Sequence, residues 1–242
     1  ETLNWLFENM NADLQARVVG RKKVDVAQDK STGEVLGDMY SRALPFEDID
    51  SLVSSTGADV VHLLRGKEAN ASETCGTAYL GVQQGFGVRS LTLGNTIIRD
   101  DCPIASFQHE FGHNLGLTHD RTTVDDQDDS AGAYNYSYGS RVSGVYRTIM
   151  AYGARSEYPV YGTYSWPEVI CDDSPCGTPP SESDSADNRR SIENTKRLVS
   201  GFGGGFKYAA IQEFGGEGTC SSDDQGNDSQ THLIALLTST KF

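Results

Sequence analysis

From His109 to Asp120 the chain reads His-Glu-Phe-Gly-His-Asn-Leu-Gly-Leu-Thr-His-Asp, and no other stretch constrains the fold as tightly. Residues four apart on an α-helix stand one above the other on a single face. His109 and His113 therefore aim two imidazoles at one point if the segment is helical. Ile104, Phe107, Phe111 and Leu115 supply an apolar stripe for such a helix, and Pro103 suits its first turn. Gly116 can leave the helix in a conformation that other residues resist, and the turn brings His119 back toward the first two rings. Three imidazoles with a fourth position open are the donor set of a catalytic zinc, which they reach at about 2.0–2.1 Å. Glu110, beside His109, can act on a water at the metal without being a ligand. An HExxH pair alone arises by chance in unrelated helices. Here three of the chain's five histidines fall in one pattern together with the glycine. His62 and His232 lie outside it and read as a packed strand residue and a tail residue.

A length of 242 residues suits one domain split into lobes. The net charge of −14 disfavours nucleic acid and anionic membranes as partners. The longest apolar run, Leu233 to Leu237, is too short to cross a bilayer. Helical spacing marks residues 3–14, and Val18 to Val26 reads as a strand. A polar turn is expected at Asp29 to Gly33. A second helix opens at Leu44-Pro45 and is capped by Gly57. Val60 to Leu64 looks like a buried strand, and Gly76 to Val82 and Val88 to Leu93 like two more. Residues 120–143 read as loop, and Ile192, Leu198, Val199 and Phe202 mark a late helix before a flexible break at Gly201 to Gly205. This alternation argues for an α/β (α+β) fold.

The zinc motif, followed by Thr148-Ile-Met150-Ala-Tyr152, resembles the metzincin family. Asp120 resembles its reprolysin, or adamalysin, branch. Further likeness to bacterial reprolysin-like and peptidyl-Asp metallopeptidases runs through residues 56–64, 75–80, 146–152 and 187–202. The resemblance implies a twisted mixed sheet with packed helices above a cleft and a smaller, loop-rich C-terminal lobe. The lobes would be 1–119 and 120–205, with a tail at 206–242. It implies zinc-dependent hydrolysis of internal peptide bonds with Glu110 as general base, Met150 as an apolar floor and Asp120 bracing the turn. Tyr152 is a candidate for touching zinc or the oxyanion, or else a packed aromatic. A monomer acting on polypeptides laid along the edge at Cys75 to Gly81 is expected. The alternative is a latent or inactive zinc-bearing binding protein with this fold, against which the intact Glu110 speaks.

Five cysteines and no CxxC pair suggest an oxidised, secreted chain. No leader is recognisable, so the sequence reads as a mature form. Formal glycosylation sequons stand at Asn70, Asn135 and Asn227. Cys171 and Cys176 enclose a short loop and are expected to pair; the resemblance supports a Cys75–Cys102 bridge. That leaves Cys220 as a latency ligand that could displace the water at zinc, a free thiol, or a link to another chain. The acidic run from Asp125 to Asp129 is a candidate for calcium or simply a solvated charge run. Arg155 lies where the family forms its primed-side pocket and would read an acidic side chain, or is a surface arginine. The family's first strand is missing ahead of Glu1. Residues 232–238 are expected to take its place beside Val18 to Val26, in the manner of a cyclic permutation, or else to form an unrelated strand on a sheet edge.

Overall fold

The computed structural model describes residues 1–66, 74–85, 87–88, 94–153, 160–201 and 231–240. In chain order, α1 (Thr2–Asn9), β1 (Gln15–Asp25), α2 (Thr32–Ser41), α3 (Ile49–Thr56), β2 (Val60–Arg65) and β3 (Gly76–Ala78) come first. The short pair β4 (Val82–Gln83) and β5 (Gly87–Val88) leads to β6 (Asn95–Arg99), α4 (Ile104–Asn114), β7 (Thr118–Asp120) and α5 (Arg121–Gln127). Small ladders follow: β8 (Tyr138–Gly139), β9 (Arg141–Val142), β10 (Tyr146–Arg147), β11 (Ile170–Cys171) and β12 (Ser174–Pro175). Last come α6 (Asn188–Val199) and β13 (Thr231–Thr240).

The main sheet has the order β1-β13-β2-β6-β3, with β2 and β6 parallel and β3 antiparallel on the edge. Successive strand residues face opposite sides, so β2 serves two cores. Val60 joins Leu6, Phe7, Phe111, Leu115, Met150 and Ile192 on the side of α1, α4 and α6. Val61 and Leu63 join Val35, Met39, Ile49 and Val53 on the side of α2 and α3. Burial on both faces is why this strand reads as a near-continuous apolar run.

Several elements depart from expectation. Residues 29–33 are not simply a turn, because α2 starts there. Ser31 caps it, with Glu34 closing a reciprocal capping box. Helix α3 begins at Ile49 behind Asp48, not at Pro45, which follows a cis peptide bond. Gly57 does cap it, at φ 70°. The strand leading into the zinc-motif helix is β6. Its buried Asn95 and Thr96 hid it from an apolar pattern, and Thr96 Oγ1 donates to Asn114 Oδ1 at 2.7 Å. Residues 120–143 contain α5, β8 and β9 as well as loop. Cys220, Arg155, the sequons at Asn70 and Asn227, residues 89–93 and the break at 202–205 lie outside the described residues. Disulfides join Cys75 to Cys102 and Cys171 to Cys176.

Strand β13 lies between β1 and β2, next to Val18 and Val24. A cyclic permutation is nevertheless the wrong account. A strand–helix–strand crossover delivers parallel neighbours, whereas β13 runs antiparallel to both β1 and β2. The slot is filled by a strand of reversed direction.

His62 sits on the α4 face of β2, fully buried, with its ring stacked on Phe111 at 5.6 Å between centroids. Among the described residues neither ring nitrogen has a hydrogen-bond partner, and burial pushes its pKa from 6.5 down to about 3. The folded state keeps this ring neutral, so its contribution is intact above pH 6.5 and is lost as pH falls toward 3. In the presence of chelator, wild type should lose stability relative to His62→Leu by about 1.4 kcal/mol per pH unit across that window. Denaturant melts at stepped pH check this; parallel curves would show that His62 does not titrate.

Candidate active site

Helix α4 carries His109, Glu110 and His113, all buried. It ends at Asn114 with Leu115 as its C-cap, and Gly116 follows at φ 83°, where an added Cβ would stand 2.8 Å from both Ala133 Cβ and Val82 O. The turn delivers His119 on β7. His109 Nε2 lies 3.2 Å from His113 Nε2 and 3.2 Å from His119 Nε2.

The protonation of these rings follows from their other nitrogens. His109 Nδ1 is 2.8 Å from Ile149 O, His113 Nδ1 is 2.9 Å from Leu117 O, and His119 Nδ1 is 2.7 Å from Asp129 Oδ2. Carbonyl and carboxylate oxygens only accept, so each Nδ1 carries the proton. Burial pushes His109 down to about 4 and His113 well below its ordinary value, so both rings are neutral at pH 7. Three Nε2 lone pairs then converge with no proton to share. Tetrahedral ligands about 2.0–2.1 Å from zinc stand roughly 3.3 Å apart, close to the spacing found here. The donor set fits a divalent metal of that kind, and it is the only such cluster among the described residues.

The surroundings hold this arrangement. Met150 is fully buried, and a Cβ on Gly112 would come 2.5 Å from its Sδ. The triad helix thus rests directly on the methionine. Asp120 Oδ1 pairs with Arg141 Nε at 3.0 Å, while Oδ2 accepts from Thr123 Oγ1 at 2.7 Å and from Tyr152 N at 3.0 Å. It ties the third-histidine turn to the methionine turn. The acidic run gives calcium no support. Asp125 and Asp126 are exposed on α5, and Asp129 is turned to His119. Sequence reasoning missed that role of Asp129, because its partner is ten residues away around a helix it did not see.

Glu110 faces the cleft from beneath β3. Burial pushes its pKa up to about 8. A Cβ on Gly76 would come 2.7 Å from Glu110 Cγ and 2.9 Å from Ile97 O, so only glycine at the head of β3 leaves room for this carboxylate. Tyr152 covers the triad from outside, 5.4 Å from His109 in a stack tilted by 8° and 4.3 Å from His119. Burial first, then Glu110 and Asp129, push its pKa up to about 12. Two cavities meet at Glu110 and Tyr152. One of about 350 Å³ runs along β3 past His113 and His119. The other, about 630 Å³, lies on the His109 side.

The buried methionine beneath three converging imidazoles places this fold among the metzincins. A model described as metallo-peptidase family M12B, reprolysin-like, matches residues 1–120, ending on the acid after the third histidine. A peptidyl-Asp metalloendopeptidase of Pseudomonas aeruginosa is 27% identical over 218 residues, covering 84% of this chain and 35% of the relative. One of Xanthomonas campestris is 33% identical over 128 residues, covering 52% of this chain and 28% of the relative. One of Pseudomonas fragi is 32% identical over 113 residues, covering 46% of this chain and 69% of the relative. The chain belongs to the reprolysin-like metallopeptidases. It spans 35% of the length of the Pseudomonas aeruginosa relative.

Two substitutions test the supports. Removing the charged partner of a ligand histidine typically weakens metal binding about 10–100-fold. Asp129→Ala should show that loss in competition with a chromophoric chelator, and Asp129→Asn, which keeps an acceptor, a smaller one. Gly76→Ala should keep the metal but displace Glu110 and lower peptide turnover, on the order of 10²-fold. Metal content and kcat measured on the same sample separate these effects.

Proposed function

We propose that this chain is a secreted zinc endopeptidase that cleaves internal bonds of polypeptides, with Glu110 as general base. The observation that carries the reading is the placement of the Glu110 carboxylate at the junction of two cavities, beside three lone-pair nitrogens. Zinc held by His109, His113 and His119 would supply Lewis-acid chemistry, acidifying a water and polarising a peptide carbonyl. Glu110 accepts the proton of the attacking water and returns it to the leaving amine. Its raised pKa suits both halves of that cycle. The Tyr152 hydroxyl, kept protonated, donates to the carbonyl oxygen as negative charge develops. Strand β3 is the sheet's edge and lines the smaller cavity. That supports an extended peptide adding to it as a further strand.

Supporting secretion are the two disulfides and the absence, among the described residues, of any helix long and apolar enough to cross a membrane. The relatives carry peptidyl-Asp in their names, and by likeness we take polypeptides containing aspartate as the substrates.

Glu110→Gln should retain zinc and lose about 10²–10⁴-fold in kcat, measured on a quenched fluorescent peptide. Wild-type activity should fall as pH drops through the Glu110 pKa. Burial raises that pKa and a bound cation lowers it, so the acid limb lies between 4.5 and about 8. A Glu110→Gln variant of wild-type activity would remove Glu110 from the mechanism.

A further inference from the structure

The segment from Gly139 to Arg141 lies directly against the methionine turn. A Cβ on Gly139 would stand 2.7 Å from both Ala151 N and Met150 C, so the two stretches of backbone are in contact. Ser140 N donates to Thr148 Oγ1 at 2.9 Å, and Thr148 N donates to Ser140 O at 2.9 Å. Arg141 then pairs with Arg147 across β9 and β10. The backbone that carries Arg141 is therefore fixed relative to the turn that carries Tyr152.

The Arg141 side chain spans Asp120 and Tyr152. Its Nε pairs with Asp120 Oδ1 at 3.0 Å, and its Nη1 donates to Tyr152 O at 2.8 Å. Asp120 Oδ2 in turn accepts from Tyr152 N at 3.0 Å. These contacts close a ring in which both polar backbone atoms of Tyr152 are held, the N–H by the carboxylate and the carbonyl by the guanidinium. Bonds to charged partners are stronger than those between neutral groups, and the planar guanidinium fixes their directions. With Asp120 alone, Tyr152 could swing about its one tethered N–H; the second tie at the carbonyl removes that freedom. Gly153 follows at φ 143°, so the chain changes course immediately after the anchored residue. The Tyr152 hydroxyl stands at the far end of its side chain, where a small backbone rotation is magnified. A misplacement of about 1 Å at a reacting centre can cost about 10²-fold in rate.

We propose that Arg141 is a positioning residue: by holding the Tyr152 carbonyl while Asp120 holds its N–H, it keeps the ring stacked over His109 and His119 and the hydroxyl aimed at the reacting carbonyl. The proposal rests on the reading of Tyr152 as a donor to the developing oxyanion and adds to it the residue that orients that donor. The role is separable from metal binding, because the three histidines take their orientation from other oxygens, those of Ile149, Leu117 and Asp129.

The experiment uses the full chain labelled with 3-fluorotyrosine, first without metal and then loaded with zinc. The fluorine resonance of residue 152 is assigned by its loss in Tyr152→Phe. In wild type the ring currents of the stacked imidazoles should displace it from the position of free fluorotyrosine. Arg141→Ala should return it most of the way and leave the remaining signals in place. With zinc bound, Arg141→Ala should lose about 10–10²-fold in kcat at unchanged zinc content, and Arg141→Lys, which has a single donor head, should fall between it and wild type. Made in a Tyr152→Phe background, Arg141→Ala should cost less than about twofold more, since the two residues act as one unit. Thermal melts verify folding, and Arg141→Met, which keeps the aliphatic stem, replaces Arg141→Ala if that variant does not fold. Failure of both to fold would make Arg141 a residue of the fold and overturn the proposal. An equal loss in both backgrounds, or a residue 152 resonance that stays in place, would overturn it as well and leave the peptidase reading intact. Wild-type kcat in Tyr152→Phe would remove both this proposal and the donor role of Tyr152. Failure of the zinc-loaded wild type to cleave any peptide would overturn the peptidase reading with it.

Discussion

Three nitrogen lone pairs that face one another across 3.2 Å set the terms for the cleft. Each is committed because the opposite edge of its ring gives a proton to a fixed oxygen. Three acceptors in contact repel, and a cation is the natural relief. Binding such an ion is therefore coupled to keeping the fold. The fixed oxygens come from separate pieces of chain: Ile149 before Met150, Leu117 in the glycine turn, and Asp129 beyond α5. Metal binding thus reports on the packing of all three. Asp120 reinforces the same union by joining the third-histidine turn to the backbone of Tyr152.

The sheet contributes by ending where it does. Strand β3 has three residues and sits at the edge, so it presents a short length of backbone to the cleft while offering little to unwanted pairing. The Cys75–Cys102 bridge joins the approach to β3 to the approach to α4. Edge strand and triad helix are thereby clamped at one end of the cleft. Gly76 sets how closely they approach.

Much of the centre was legible because its chemistry is written in spacing. The i, i+4 histidines, Glu110 and Gly116 need only a helix and a turn to converge. The positions of Met150 and Asp120 came from resemblance, and packing accounts for both. What escaped was polar. Strand β6 buries Asn95 and Thr96, the latter bonded to Asn114 of α4, so it lacks the apolar signature of a buried strand. Helix α2 carries its start signal in Ser31 and Glu34, within a stretch whose polar residues, Asp29 to Gly33, read as a turn. Asp129 looked like one more solvated acid in a run. Only the left-handed residue Asp128 at the end of α5 turns it back to His119.

The reversed strand β13 has a consequence in time. Its neighbours β1 and β2 are complete by Arg65, yet their shared partner does not begin until Thr231. On the ribosome, the middle of the sheet must wait while the three clustered histidines, both disulfide-bonded segments and α6 emerge. Closing so long a loop also makes the step slow. The cleft-bearing half can gather around its metal while the sheet behind it is still split, and full rigidity arrives only with the last described strand. Until Thr231–Thr240 has emerged, β1 and β2 lack the strand that joins them.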